Sequence, residues 1–284
     1  MAGELEEFRG MVRTALQEDL GAGDATTEST IPADALAVAH IVAREPLVAA
    51  GLDLARMAFE ERGPTLKIEV LARDGWQAPK GTFLLTIRGS ARSILEAERV
   101  ALNFAQRLSG IATLTRRYVD AVKGTKARIL DTRKTLPGWR KLEKYAVKCG
   151  GGMNHRFGLY DMILIKDNHL AVLKRNNDDA VAVAVLSARA KFPKLKIEVE
   201  ADNLDQVVQA VNAGADIILL DNMFVEQLNA AVKLVGGKAQ TEASGGVNLD
   251  TVAAIAATGV DFISVGAITH SARAVDIALD FEIQ

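Results

Sequence analysis

A single cysteine, Cys149, stands in a chain of 284 residues. No intrachain disulfide can form, and a site of several thiolates cannot be built from one chain, so neither a stapled secreted fold nor a structural zinc centre is expected. Aromatic residues are sparse, and Trp76, Trp139 and Tyr145 are too scattered to make a stacking surface for nucleic-acid bases. Apolar runs are short: none approaches the roughly 20 residues needed to span a bilayer. The opening MAGELEEFRGMVRTALQEDLG is acidic and amphipathic, unlike a signal or transit peptide. Net charge is also nearly missing, at −2, which speaks against a broad nucleic-acid or membrane surface. These absences leave the expectation of a cytoplasmic protein from a reducing compartment, large enough to bury its own core.

What charge there is lies unevenly. Residues 128–169 hold nine cations (Arg128, Arg133, Lys134, Arg140, Lys141, Lys144, Lys148, Arg156 and Lys166) against four acids (Asp131, Glu143, Asp161 and Asp167). The segment carries +5, so the rest of a −2 chain carries −7. Cations focused in one part of a mildly acidic protein point to a pocket for a small anion. Not all nine serve it: Lys141, Glu143, Lys144 and Lys148 have the spacing of a solvated helix face.

Apolar positions Phe8, Met11, Val12, Ala15, Leu16 and Leu20 predict a helix that stops at Gly21. The alternating segments LAVAHIVARE, LKIEVLA and TFLLTIRG, with the helical GLDLARMAFEERG among them, predict antiparallel strands and an α+β unit. A long helix follows from Ser93 to about Val122, with Ser109 and Gly110 as an expected interruption. Beyond it, strand candidates ARILD, DMILIK, KIEVE, DIILLD, AQTEAS and DFISVG alternate with helices. The last four strands end at Glu200, Asp221, Ser244 and Gly266, at intervals of 21 to 23 residues. That regularity predicts parallel βα units, six or seven of them: a small, incomplete β/α barrel, with a doubly wound open sheet as the alternative.

In either architecture the ligand face lies at the carboxyl ends of the strands. Those ends read Asp131-Thr132-Arg133-Lys134, Lys166-Asp167, Glu200, Asp221, Ser244-Gly245-Gly246 and Gly266. Any single strand can end in a polar residue for no functional reason; a full set of such ends is harder to dismiss. Glu200 and Asp221 occupy equivalent positions and could hold a magnesium ion bridged to phosphates or a sugar diol, with a plain salt bridge to Lys166 as the competing role. Ser244-Gly245-Gly246 and the segment ending at His270 come from the last two strands, where barrels bind phosphate through backbone N–H groups. Gly150-Gly151-Gly152 reads equally as a phosphate cradle or a flexible turn. Cys149 is expected to be a small buried thiol rather than a nucleophile, and His40 a structural residue in an apolar strand.

The segments RVALNFAQRLSGIAT, ILDTRKTLPGWRKLEKYAVKCGGGMNHRFGLYDMILIKDNH, KIEVE, GADIILLDN, EASGGV and TGVDFISVGAITHSA closely resemble the quinolinate phosphoribosyltransferases, in order and almost end to end. The resemblance implies an N-terminal α/β sandwich domain over residues 1–115, joined by the tail 275–284, and a barrel over 116–274. It also implies a homodimer or a dimer-based hexamer with shared active sites. The implied reaction joins quinolinate and 5-phosphoribosyl 1-diphosphate, with Mg2+, into nicotinate mononucleotide, diphosphate and carbon dioxide. Arg133, His155 and Arg156 match family positions that bind the quinolinate carboxylates, with Arg99 donated by a partner subunit. Lys134 and Lys166 match cationic positions near quinolinate and diphosphate. Glu200 and Asp221 match the acids near the ribose hydroxyls and magnesium. Ser244, Gly245, Gly266 and His270 match the 5-phosphate region, and Thr132 and Gly246 adjoin these positions. AREPLVAAGL departs from the family pattern in lacking the glycine that usually follows its acid.

Three rival readings have their own tests. A related phosphoribosyltransferase for another aromatic acid would release no carbon dioxide from a 2-carboxylate. An aldolase-like barrel would form a Schiff base on Lys166, trappable with borohydride. A non-catalytic phosphate or dicarboxylate sensor would turn over neither substrate.

Overall fold

The computed structural model describes residues 5–173 and 179–282; the last two positions of the expected tail lie outside them. In chain order the elements begin with helices α1 (Arg9–Leu20) and α2 (Ala25–Thr30), strands β1 (Leu36–Ala43) and β2 (Leu47–Val48), helix α3 (Leu52–Arg62), strands β3 (Lys67–Val70), β4 (Gln77–Ala78) and β5 (Phe83–Ser90), and helix α4 (Ala91–Ala121). Then follow β6 (Arg128–Leu130), α5 (Arg140–Cys149), β7 (Ile163–Ile165), α6 (Asp167–Leu173), α7 (Ala180–Lys191), β8 (Ile197–Ala201), α8 (Leu204–Ala213) and β9 (Ile217–Asp221). The last are α9 (Val225–Val235), β10 (Gln240–Ser244), α10 (Val252–Ala257), β11 (Phe262–Ser264), α11 (Ala267–His270) and β12 (Ile277–Phe281).

Two compact units result. The first comprises the chain up to Leu114, Lys141–Gly151, and the chain from Ala272 onward; the second comprises Thr115–Arg140 and Gly152–Ser271. In the first unit an antiparallel sheet runs β12-β1-β5-β3, so the C-terminal strand pairs along β1, from Ala39 opposite Phe281 to Ala43 opposite Ile277. His40 is buried there, bonded to Thr86 and Glu282 and stacked on Phe83. Gly21 caps α1 through its N–H on the Gln17 carbonyl. The acid of the ARE segment, Glu45, pairs with Arg273 at 2.7 Å and accepts the Asp276 N–H at 2.8 Å, which ties the start of the C-terminal segment to the end of β1.

Two expectations need correcting in this unit. Ser109 and Gly110 do not interrupt α4, which runs unbroken through both. The fully buried Ser109 hydroxyl accepts from the Ala50 N–H and donates to its carbonyl. A Cβ on Gly110 would lie 2.0 Å from the Arg273 carbonyl oxygen, so that glycine serves a close backbone approach. Lys144 is not surface charge: it is 1 % exposed and Glu143 0 %, Glu143 being bonded to Arg107 of α4 at 2.7 Å. That bond, with Tyr145 donating to Asp74 at 2.8 Å, also explains why Lys141–Gly151 groups with the first unit and not with the barrel. Lys141, bonded to Glu7, and Lys148 remain exposed.

The second unit is a six-stranded parallel sheet in the order β6-β11-β10-β9-β8-β7, and Met153 adds a single parallel bridge to Leu130 on the outer side of β6. β6 and β8 are four strand positions apart, roughly 19 Å in a flat sheet at about 4.8 Å per neighbour. Yet His155, two residues past Met153, bonds to Glu198 of β8 at 3.0 Å. The sheet therefore curls round on itself into a barrel. Among the described residues β6 and β7 do not pair, so the barrel is incomplete.

Candidate active site

Side chains alternate across a strand, and in the barrel one set packs outward on the helices while the other faces in. Leu164 of β7 and Lys166 just beyond it, Leu219 and Asp221 of β9, Glu242 and Ser244 of β10, and Ser264 of β11 with Gly266 just beyond it all line one cavity of about 830 Å³. It opens at the carboxyl ends of the strands, the face where βα barrels carry their chemistry. Thr132, Arg133, Lys134, His155, Arg156, Glu200, Gly245, Gly246 and His270 complete that side of the lining. Of the residues matched to the family's substrate and metal positions, the structure gathers all but Arg99, which is exposed on α4 in the first unit; the strand-end acids Asp131 and Asp167 are not on the cavity wall.

The loop after β6 is pinned from several sides. Lys134 donates its N–H to the Thr132 hydroxyl and accepts from Thr269. Arg140 donates to Thr135 and to the Phe157 carbonyl, so this cation holds the loops and does not face the cavity. Four of the nine clustered cations remain on the cavity wall: Arg133, Lys134, Arg156 and Lys166. Burial and the neighbouring Arg133 charge pull the Arg156 pKa below the ordinary arginine value. The buried Nε of Arg133 has no hydrogen-bond partner. Adjacent guanidinium groups held this way suit a compact anion with more than one carboxylate. Gly150 and Gly151 instead close α5, through N–H bonds to the Ala146 and Lys148 carbonyls, which makes the glycine triplet a helix end.

Across the cavity the charge reverses. Carboxylate oxygens of Glu200, Asp202 and Asp221 lie within 4.8 Å of one another. Lys166 Nζ bonds to Glu200 at 2.6 Å, so the salt bridge weighed against a metal role is present. Burial, then the Glu200 charge, push the Asp221 pKa up against the pull of Lys166. One lysine does not neutralise these acids, and a hard, all-oxygen donor set with uncompensated negative charge fits Mg2+. Asn222 sits at φ 53°, the one described non-glycine residue with positive φ. It donates from Nδ2 to Asp221 Oδ2 at 2.6 Å and from its N–H to the Ser244 carbonyl, so local strain is used to orient the acid.

Gly245 must be glycine. Its φ is +92°, and a Cβ would lie 2.1 Å from Asn222 Oδ1. With Ser244, Gly246 and Gly266 it forms a stretch of bare backbone at the ends of the last two strands, suited to a phosphate.

Beneath the strand ends lies a second polar layer that the sequence reading missed. Glu198 and Glu242 are 0 % and 1 % exposed, and His155 Nε2 lies 3.0 Å from one and 3.5 Å from the other. Desolvation and the Glu242 charge push Glu198 up to about 7. Burial lowers the His155 pKa, but bonds and charges from the two glutamates outweigh it and hold it at about 10. His155 Nδ1 meanwhile accepts the Arg156 N–H at 2.8 Å, an arrangement of the neutral ring. Alternation held the missing signal: Glu198 lies two residues before Glu200, and Glu242 two before Ser244, on the same inward faces.

Comparison with known proteins bears on the whole chain. The quinolinate phosphoribosyl transferase C-terminal domain matches residues 111–280 and the N-terminal domain residues 24–109. A nicotinate-nucleotide pyrophosphorylase (carboxylating) of Mycobacterium leprae is 47% identical over 283 residues, covering 98% of each chain. A quinolinate phosphoribosyltransferase (decarboxylating) of Nicotiana tabacum is 42% identical over 294 residues, covering 98% of this chain and 83% of that one. Among solved structures, the nicotinate-nucleotide pyrophosphorylase of Francisella tularensis matches with a TM-score of 0.90 at 41% identity, over 96% of this chain and 95% of that one. NadC of Streptococcus pyogenes matches with a TM-score of 0.92 at 37% identity, over 98% of each. With both domains present in order, and likeness in sequence and structure over nearly its full length, the chain belongs to the quinolinate phosphoribosyltransferase family.

Proposed function

We propose that this chain transfers the phosphoribosyl group of 5-phosphoribosyl 1-diphosphate to quinolinate, with decarboxylation, to give nicotinate mononucleotide, diphosphate and carbon dioxide for NAD biosynthesis. Family membership supports the reaction. The observation that carries it at the site is a cavity with cations Arg133, Lys134 and Arg156 toward one side, acids Glu200 and Asp221 toward another, and the Ser244-Gly245-Gly246 backbone beside them. Such a division fits a dicarboxylate and a sugar phosphate bound together.

In this reading Arg133 and Arg156 fork the quinolinate carboxylates, with Thr132, Lys134 and His155 alongside, and a partner subunit's copy of the Arg99 position completes the enclosure in a homodimer or a dimer-based hexamer. Glu200 and Asp221 take the ribose hydroxyls, and they hold Mg2+ directly or through water. Ser244, Gly245, Gly246, Gly266 and His270 hold the 5-phosphate. When bound, Mg2+ supplies charge neutralisation for the diphosphate. Positioning and electrostatics do the rest. The pyridine nitrogen attacks C1 of the ribose, and the bond from C1 to the diphosphate oxygen breaks with its electron pair leaving on that oxygen. Lys134 and Lys166 stabilise the departing charge, while Glu200 and Asp221 favour the positive character on the ribose. The positive charge of the nitrogen, now quaternised, stabilises the electron pair that stays on C2 when the bond to its carboxylate breaks. Carbon dioxide leaves, and a proton replaces it at C2.

The decisive assay measures diphosphate release dependent on both substrates, together with labelled carbon dioxide from the 2-carboxylate. Release of both supports the reading. Diphosphate without carbon dioxide would assign another aromatic acid. No turnover with either would leave a binding protein.

A further inference from the structure

The two buried glutamates have no place in the chemistry above, and their surroundings are unusual. Both oxygens of Glu242, Oε1 of Glu198 and the hydroxyl of Ser264 are buried without a hydrogen-bond partner. Carboxylates left this way cost stability, so a fold that keeps two of them in contact gains something other than cohesion. What they reach is His155: Nε2 lies 3.0 Å from Glu198 and 3.5 Å from Glu242. The opposite ring edge carries the next link, where Nδ1 accepts the backbone N–H of Arg156 at 2.8 Å. The His155 N–H donates to Asp131 Oδ1 at 2.9 Å, and Asp131 is itself 0 % exposed. The imidazole is thus a strut between the barrel interior and the main chain that carries a cavity guanidinium.

We propose that Glu198 and Glu242 are positioning residues for the dicarboxylate subsite: from inside the barrel they clamp the Nε2 edge of His155, and the ring sets the backbone of Arg156. This rests on the assignment of the cavity to quinolinate. Neither glutamate needs to touch substrate. Glu198 fixes the ring through a directed bond, and Glu242, on the strand two positions away in the sheet, closes the other side of the same Nε2–H. Without the clamp the ring can rotate, and the Arg156 fork loses its register with the carboxylates it would bind, a loss confined to one of the two substrates.

The test compares Glu198→Ala, Glu198→Gln and Glu242→Gln in the full-length protein. A glutamine oxygen at 198 still accepts from Nε2–H, whereas alanine leaves nothing. The expected result is a KM for quinolinate at least tenfold higher in Glu198→Ala, largely restored in Glu198→Gln, with KM for 5-phosphoribosyl 1-diphosphate within twofold of the parent throughout. Glu242→Gln, which keeps an oxygen beside Nε2–H but removes the charge, should raise the KM for quinolinate alone and by less than Glu198→Ala, with undiminished thermal stability. Equal changes in both KM values, or none in a folded Glu198→Ala, overturn the clamp. If Glu198→Ala does not fold, the parent protein decides by ring NMR, since it has only four histidines. A slowly exchanging proton on His155 Nε2 that exchanges faster in Glu242→Gln supports the clamp, and an unprotonated Nε2 overturns it. A parent protein that makes no diphosphate from the two substrates overturns the substrate assignment instead, a result separable from turnover with unmoved KM values.

Discussion

The two compact units use charge in opposite ways. In the first, cations meet acids: Arg9 bonds to Glu60 and Glu61, Arg107 to Glu143, and Arg273 to Glu45. In the second, the cavity groups like with like. Arg133 stands by Arg156, Asp221 by Glu200, and Glu198 by Glu242, with Lys166–Glu200 and His155–Glu198 as the links between signs. Matched charges are complete without a ligand. Grouped like charges are repulsive until an ion of the other sign arrives, so the second unit holds binding capacity where the first holds structure.

The strongest way to break this contrast is to remove one charge from each kind. Glu143→Ala in the first unit should destabilise by about 3–5 kcal/mol in chemical denaturation, because it removes the buried carboxylate of the Arg107 ion pair and leaves a void in its place. Turnover per folded molecule should not change. Arg133→Ala in the second should do the reverse: a loss of about 3 kcal/mol of transition-state stabilisation, roughly 10²-fold in kcat/KM for quinolinate, with the melting temperature equal or higher because a repulsion is relieved. A melting temperature that falls in Arg133→Ala as far as in Glu143→Ala would place Arg133 among the structural charges and erase the distinction.

How far the sequence showed this contrast differed by residue. The strand ends were legible because the 21- to 23-residue rhythm from Glu200 to Gly266 and the rule of the carboxyl-end face locate a ligand site without any contact being known. Glu198 and Glu242 are not strand ends, so that rule does not point to them, although alternation places them on the same inward face one step down. Lys144 was misassigned for a different reason. Helical spacing tells which residues share a face, but what covers that face, here α4 through Arg107, is a tertiary fact. Gly110 carries the same lesson: its meaning lies in the Arg273 carbonyl, 163 positions along the chain.

The phosphate side sharpens the comparison at smaller cost. Gly245→Ala forces a Cβ onto φ +92° and against Asn222, a strain of about 1–3 kcal/mol. Asn222 orients Asp221, so the substitution should raise KM for 5-phosphoribosyl 1-diphosphate about tenfold and leave KM for quinolinate near the parent value. Steady-state kinetics with each substrate varied in turn checks this, and a rise in the quinolinate KM alone would move the phosphate cradle elsewhere.

The smallest effect expected is the pH signature of a matched pair. Arg273, then the Asp276 N–H, hold the Glu45 carboxyl at about 2, below its ordinary 4.5. A carboxyl with a depressed folded-state pKa contributes stability above its unfolded value and loses that contribution as the pH falls through the folded one. The window is therefore pH 4.5 down to about 2. Arg273 is largely exposed, so solvent screening limits the contribution to about 1 kcal/mol or less. Melting temperatures of the parent should fall more steeply across that window than those of Glu45→Gln, whose amide cannot titrate, and the two should run parallel above pH 5. Parallel curves over the whole range would mean that even this bonded pair of the first unit is electrostatically idle, which would narrow the contrast with the cavity to its buried charges alone.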